Sequence, residues 1–284
     1  RYTSLVEDAK FKHGKKLALT VGIKSAKYET LLLTDADCFP ASNQWLSKMV
    51  SNFVDKKEVV LGYGAYSPQK GLLDKIIRYD TLFIAMNYFS FAHAGLAYMG
   101  VGRNLAYKKS TFWKNKGFDS HYFLKSGDDD LFVNEVANKK NVALELSKES
   151  FTYSEQKASF KDWYFQKKRH SVTSKLYKLK HKLLLGMEPL TRSLLILLFI
   201  VYFVNNFTMH RHILLAALLF RMALQLLTVK LSMNKLNERN LLLYSPIIDF
   251  LLPIFYFLLL FTKKTVTTIT GNGSKSESLR KSKA

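Results

Sequence analysis

The 284 residues combine 48% hydrophobic with 23% charged side chains, a mixture that argues for distinct segments rather than one uniform globule. Lys and Arg outnumber Asp and Glu by 43 to 22, and the net charge of +21 calls for an anionic partner: lipid headgroups, a phosphorylated substrate or nucleic acid. The single cysteine, Cys38, excludes an internal disulfide and fits a reducing compartment.

Lys15 to Lys27 has helical spacing through Leu17, Leu19, Val21 and Ile23, weakened by Gly22. "ETLLLTDAD" follows as a short strand whose continuous apolar run predicts a parallel sheet covered on both faces. "SNQWLSKMVSNF" returns to helical spacing, with Ser42 or Asn43 as its cap, and "EVVLGYGAY" reads as a second strand. Alternating helices and strands predict an α/β sheet. Leu72 to Ala97 reads as a long aromatic helix. A glycine-rich stretch, an acidic loop leading into a helix near Asp128, and the strand "NVALELS" come next. Phe160 to Leu185 reads as one basic amphipathic helix, capped by Ser159 with Asp162 three residues on.

The pattern then changes. Leu190–Phe207, Ile213–Val229 and Leu241–Phe261 are apolar runs of about 17 to 21 residues, close to the roughly 20 needed to cross a bilayer. They predict a membrane region of about three helices over 190–262. Lys175, Lys178, Lys180 and Lys182 precede it, so 176–189 reads as the end of a basic interfacial helix attracted to anionic lipid. Residues 263–284 read as a disordered basic tail. Beyond charge there is no nucleic-acid motif, so nucleic acid is not expected as a partner.

Four constellations carry chemistry. Asp35 and Asp37 close the first strand, where two carboxylates can converge on a hard cation such as Mg²⁺ or Mn²⁺; a solvated strand end is the plainer account. Asp128-Asp129-Asp130 follow Ser126-Gly127; they supply either a catalytic carboxylate or acids favoured in a helix's first turn. Gly100-Val101-Gly102-Arg103-Asn104 let backbone approach a ligand and offer phosphate or sugar donors, although Leu105 stands where a dinucleotide fingerprint has its third glycine. Gln166, Arg169 and His170 share one helix face, as donors to a diphosphate or as a solvated basic face.

The ordered set resembles a membrane-bound glycosyltransferase of family 2. "GVGRNLAYKKSTFWKNKGFD", "SGDDDLF" and "QKKRH" are similar to that family's Gly-x-Asn-x-Ala, Glu-Asp and Gln-x-x-Arg-Trp segments. The resemblance implies a GT-A (Rossmann-like nucleotide-diphospho-sugar transferase) domain over residues 1–175, followed by membrane helices. It implies inverting transfer from a nucleotide-sugar to a lipid-linked or glycan acceptor, at a cell membrane, with the catalytic part cytoplasmic. Asp35 and Asp37 would hold Mg²⁺ or Mn²⁺. Asp129 would be the base with Asp128 beside it. Gly102, Arg103, Asn104, Gln166, Arg169 and His170 would bind substrate. Three features depart from the pattern. Asp128 stands for Glu, which leaves the base open among the three acids, and His170 stands for Trp. The family's first strands would lie upstream of Arg1, so the domain is expected to be N-terminally incomplete.

Two rivals remain at this point. A haloacid-dehalogenase-like phosphatase shares Asp-x-Asp but expects Thr or Val where Cys38-Phe39 follows, and leaves Gln166 and Arg169 without a role. A non-catalytic membrane-anchored scaffold, or a degenerate transferase, would bind anionic lipid through the basic helix. Topology is in tension too. Three spans put the tail outside, whereas Lys263, Lys264, Lys275, Arg280, Lys281 and Lys283 favour the inside unless the Pro246/Pro253 segment is re-entrant.

Overall fold

The computed structural model describes residues 14–204 and 211–261. The basic tail expected over 263–284 lies outside them. Helix α1 spans Gly14–Ser25 and leads to β1, Thr30–Leu33. After β2 (Cys38–Pro40) and α2 (Trp45–Val50) come β3 (Val59–Leu61) and β4 (Gly64–Tyr66). Helix α3 is Leu72–His93, followed by β5 (Leu105–Lys108), α4 (Lys109–Lys114), α5 (Asp130–Val136), β6 (Val142–Leu144) and β7 (Thr152–Ser154). The chain continues through α6 (Phe160–His170), α7 (Leu179–Val204), α8 (Arg211–Lys235) and α9 (Ser245–Phe261).

The α/β architecture holds, but the sheets are mixed rather than parallel. One has the order β1-β5-β3-β6, with β5 antiparallel to both neighbours and only β3 and β6 parallel. The other runs β2-β7-β4. β1 is a half-buried edge strand, whereas β3 is fully buried in the middle. The apolar run in β1 therefore reported one covered edge, not a strand enclosed on both faces. The expected strand "EVVLGYGAY" is two strands in two sheets. The chain changes sheet at Gly62-Tyr63, where a Cβ on Gly62 would meet the Asn104 side chain at 2.5 Å.

Helix ends explain the other differences. Gln44, not Ser42 or Asn43, caps α2, and Ser42 Oγ accepts from the Gln44 amide at 3.0 Å one step outside. α3 stops at His93 because Gly95 adopts φ +78°, a left-handed stop that suits glycine. The single basic helix expected over 160–185 breaks after His170. There Asp130, buried under α5's first turn, accepts from Thr173 and, at 2.8 Å, from Tyr177. The Ser159 cap is as expected: its Oγ accepts from the Asp162 amide at 3.1 Å.

Helices α7 and α8 are long and apolar enough to cross a membrane; α9 is shorter. Four charges within these helices, Glu188, Arg192, Arg221 and Asp249, pair with one another, as suits apolar surroundings. Asp249 takes Arg192 at 2.8 Å and Arg221 at 3.2 Å, and Glu188 takes Arg192 at 2.8 Å. α9 packs on the α/β part. Tyr256 donates to Asp80 of α3 at 2.6 Å, and Phe255 stacks on Trp163 of α6. The α8–α9 turn is fixed likewise. Glu238 is buried against Arg78 (2.9 Å to Nε) and the Tyr63 hydroxyl (2.9 Å).

Candidate functional site

The site forms where β1, the Gly100–Asn104 loop, the start of α5 and the end of α6 converge. Asp35 and Asp37 lie on the turn from β1 to β2, where the edge strand runs out. Asp35 is half-buried and Asp37 exposed. One oxygen of each and the Cys38 sulfur lie within 4.8 Å of one another. Two carboxylates this close suit one hard divalent ion, with room left for water or phosphate oxygens. Burial pushes the Cys38 thiol up from its ordinary range, so it is the weakest of the three donors.

The three adjacent acids have three different environments. Gly127 adopts φ +97°, and a Cβ there would strike Leu131 at 2.6 Å. This turn presents Asp128 to the cleft, where it pairs with Lys15 at 2.8 Å. Asp129 is the cap of α5. Its Oδ1 accepts from the Asp130 amide at 2.8 Å and its Oδ2 from the Gly102 amide at 2.7 Å. Asp130 is buried and held by Thr173, Tyr177 and the Leu131 amide, so it belongs to the scaffold.

Burial, then the charges of Asp128 and Asp130, push the Asp129 carboxyl up to about 7. A carboxylate so placed can accept a proton near neutral pH while two amides fix its orientation. Burial works against the Lys15 charge, but Asp128 and Asp35 hold its ammonium above the usual lysine range.

Of the glycine-rich segment, Val101, Gly102 and Arg103 line the cleft and Asn104 does not. A Cβ on Gly102 would crowd Asp129 Oδ2 at 3.2 Å, so the glycine admits the carboxylate. Arg103 lies over the Tyr66 ring at 4.2 Å and donates to the Ala65 carbonyl at 3.1 Å. Asn104 is fully buried. In place of the expected phosphate or sugar contact, its amide donates to the carbonyls of Tyr63 (3.0 Å) and Ser150 (2.8 Å) and accepts from Trp45 (3.0 Å).

Opposite the acids, α6 brings Gln166, Arg169 and His170 to the same cleft. Gln166 donates to the Tyr66 hydroxyl at 3.2 Å, while Arg169 and His170 are accessible. Surrounding protein, then the cations Lys167 and Arg169, hold the imidazole below its ordinary range and therefore neutral. The next residue, Lys167, forms an ion pair with fully buried Asp80 of α3. The cleft is about 1500 Å³ and does not end at the acids. It continues past Tyr88 and Tyr98 to Leu185 and Pro189 of α7 and Leu252 and Phe257 of α9.

Sequence reading missed Lys15, Asp80, Lys167 and this continuation. The adjacent cations Lys15 and Lys16 are visible in the sequence, but their partners, Asp35, Asp128 and the His121 carbonyl, are distant in it.

The family model described as "Glycosyl transferase family 21" matches residues 5–267. Among solved structures, the mannosyltransferase PcManGT from Pyrobaculum calidifontis, in complex with GDP-Man and Mn²⁺, is similar at 16% identity with a TM-score of 0.48. That likeness covers 89% of this chain and 68% of the other. No curated protein matches.

Proposed function

The chain belongs to glycosyl transferase family 21, and from that membership we propose that it moves a sugar from a nucleotide-sugar to a membrane-associated acceptor by an inverting, metal-assisted displacement on a GT-A-type domain. The motifs resemble family 2, while the membership is in family 21; sugar transfer stands under both. Neither the phosphatase nor the scaffold reading accounts for that membership.

The observation that carries the mechanism is the pair of backbone amides, Gly102 and Asp130, that fix Asp129 beside a cleft shared with Asp35, Asp37, Gln166 and Arg169. Asp129 takes the proton from the acceptor hydroxyl as that oxygen bonds to the anomeric carbon. The bond from that carbon to the diphosphate oxygen breaks on the opposite face, which inverts the configuration. Asp35 and Asp37 would hold Mg²⁺ or Mn²⁺, which when bound neutralises charge on the departing nucleoside diphosphate. Arg169 and Gln166 bind the diphosphate or the acceptor end, and the neutral imidazole of His170 offers a hydrogen bond without added charge. Gly102 admits the base, and Arg103 braces the floor through Tyr66. Asp128 holds Lys15 beside the base.

The apolar reach of the cleft between α7 and α9 supports an acceptor carrying a lipid chain rather than a free glycan. The outer faces of α7 and α8, with Leu190, Leu197, Leu219, Phe220 and Leu227 exposed, suit lipid at a cell membrane. We place the catalytic part on the cytoplasmic side, where nucleotide-sugars are made. α9 then reads as re-entrant, because Tyr256 and Phe255 bind elements of the α/β part. That removes the conflict with the basic tail.

The test is nucleotide-sugar turnover with Mn²⁺ in membranes, comparing wild type with Asp37→Ala and Asp129→Asn. Both variants lose transfer on this reading. Transfer unaffected by both would sink the mechanism.

A further inference from the structure

Lys15 and Lys16 leave α1 toward different partners. Lys16 is buried and donates to the His121 carbonyl at 2.6 Å. Lys15 reaches into the cleft, where its ammonium stands 2.7 Å from Asp35 Oδ1 and 2.8 Å from Asp128 Oδ2. A Cβ on Gly102, the residue whose amide holds the base, would lie 3.5 Å from the same nitrogen. One ammonium thus ties the acids after β1 to the acids before α5.

Two other cations of the cleft are spent elsewhere, while Lys125, Lys157 and Arg169 also line it. Arg103 is held by the Ala65 carbonyl, the Ser154 hydroxyl and the Tyr66 ring. Lys167 is paired with Asp80. Among the described residues, Lys15 is the cation that forms ion pairs with Asp35 and Asp128. Its side chain is 46% exposed, so it enters from the open side and can leave without unpacking the core.

We propose that Lys15 is a resident cation that holds the acidic wall together before donor binding and competes with a divalent ion for Asp35. The proposal rests on Asp35 and Asp37 being the metal ligands. A metal on Asp35 would stand a few ångströms from the ammonium on Oδ1, and two cations that close repel each other. Metal binding at Asp35 therefore disfavours the Lys15 contact there, while Asp128 can keep hold of it. A metal arriving with a diphosphate brings compensating negative charge, and the repulsion largely disappears. Lys15 would thereby favour entry of metal together with donor over entry of metal alone. This makes it a positioning residue, acting through Asp35 and Asp128.

The experiment measures Mn²⁺ affinity of the full chain in detergent by electron paramagnetic resonance, with no nucleotide, for wild type, Lys15→Met, Lys15→Arg and Asp35→Asn. Inorganic pyrophosphate is then added as the diphosphate probe. Lys15→Met should bind Mn²⁺ alone roughly fivefold or more tightly than wild type, the size expected for removing a charge at this range in a partly screened site. Lys15→Arg should gain nothing, and pyrophosphate should erase most of the Lys15→Met gain. Lys15→Gln provides the same comparison should the methionine variant fold poorly. If Asp35→Asn loses the site while Lys15→Met and Lys15→Gln bind Mn²⁺ no more tightly than wild type, the resident-cation role is overturned and the metal ligands stand. If Asp35→Asn binds as wild type does, the metal reading fails and the Lys15 role with it.

Discussion

The two walls of the cleft are built by different means. On the acidic wall the central carboxylate is held by backbone: Asp129 accepts from two amides, Asp130 is buried beneath it, and Lys15 pairs with the neighbouring Asp35 and Asp128. The basic wall is a helix, α6, set in place by side chains: Lys167 on Asp80, Trp163 on Phe255 and Gln166 on Tyr66. Amide-held groups cannot move without breaking the loop itself. A helix mounted on an ion pair and a ring stack can shift as a unit. On the proposed function, the base sits on the wall held by amides, and the groups for diphosphate or acceptor sit on the wall set in place by side chains.

Substitutions can separate the two. The largest effect is expected on the acidic wall, where Asp35→Ala, or chelation of the divalent ion, should lower kcat by about 10²- to 10⁴-fold, the several kcal/mol a bound metal contributes. Steady-state rates with and without EDTA check this. Next comes the mounting of α6. Lys167→Met leaves fully buried Asp80 without its cation and should cost about 3–5 kcal/mol, read by denaturant unfolding. Adding Asp80→Asn should recover most of that loss, since the uncompensated charge is then gone. A smaller effect is expected at Arg169. Arg169→Ala should raise the donor KM about 10- to 100-fold, the worth of a hydrogen bond to a charged group, with stability unchanged. If Arg169→Ala instead unfolds the protein, the basic wall is scaffold and not a binding surface.

Much of this was legible in residue order. Asp35, Asp37, Asp128, Asp129, Gln166 and Arg169 stand in the sequence as separate short patterns, and the fold brings all six to one cleft. What could not be read was which member of each pattern the scaffold consumes. Asn104 and Asp130 look like their neighbours in sequence, yet the carbonyls of Tyr63 and Ser150 claim one, and Thr173 and Tyr177 claim the other. Those partners are 41 to 47 residues away, beyond any local period. Strand pairing was hidden for the same reason. The apolar run of β1 is compatible with a covered parallel strand, and only its antiparallel partner β5 reveals an edge. The third apolar run has the composition of a span, and nothing local in it announces that Tyr256 and Phe255 meet partners on α3 and α6.

On the proposed mechanism, the triplet divides into a base at Asp129 and a structural acid at Asp130. The direct test is the pH dependence of kcat/KM, with melting temperature, for wild type, Asp129→Asn and Asp130→Asn. Asp129 must be ionised to accept a proton, and burial beside Asp128 and Asp130 raises it to about 7, so the wild-type rate should fall as pH drops below about 7. Asp129→Asn should keep its fold, lose about 10²- to 10⁴-fold in rate and show no such limb. Asp130→Asn should melt lower and keep the limb. Loss of the limb in Asp130→Asn, with Asp129→Asn turning over normally, would contradict the assignment.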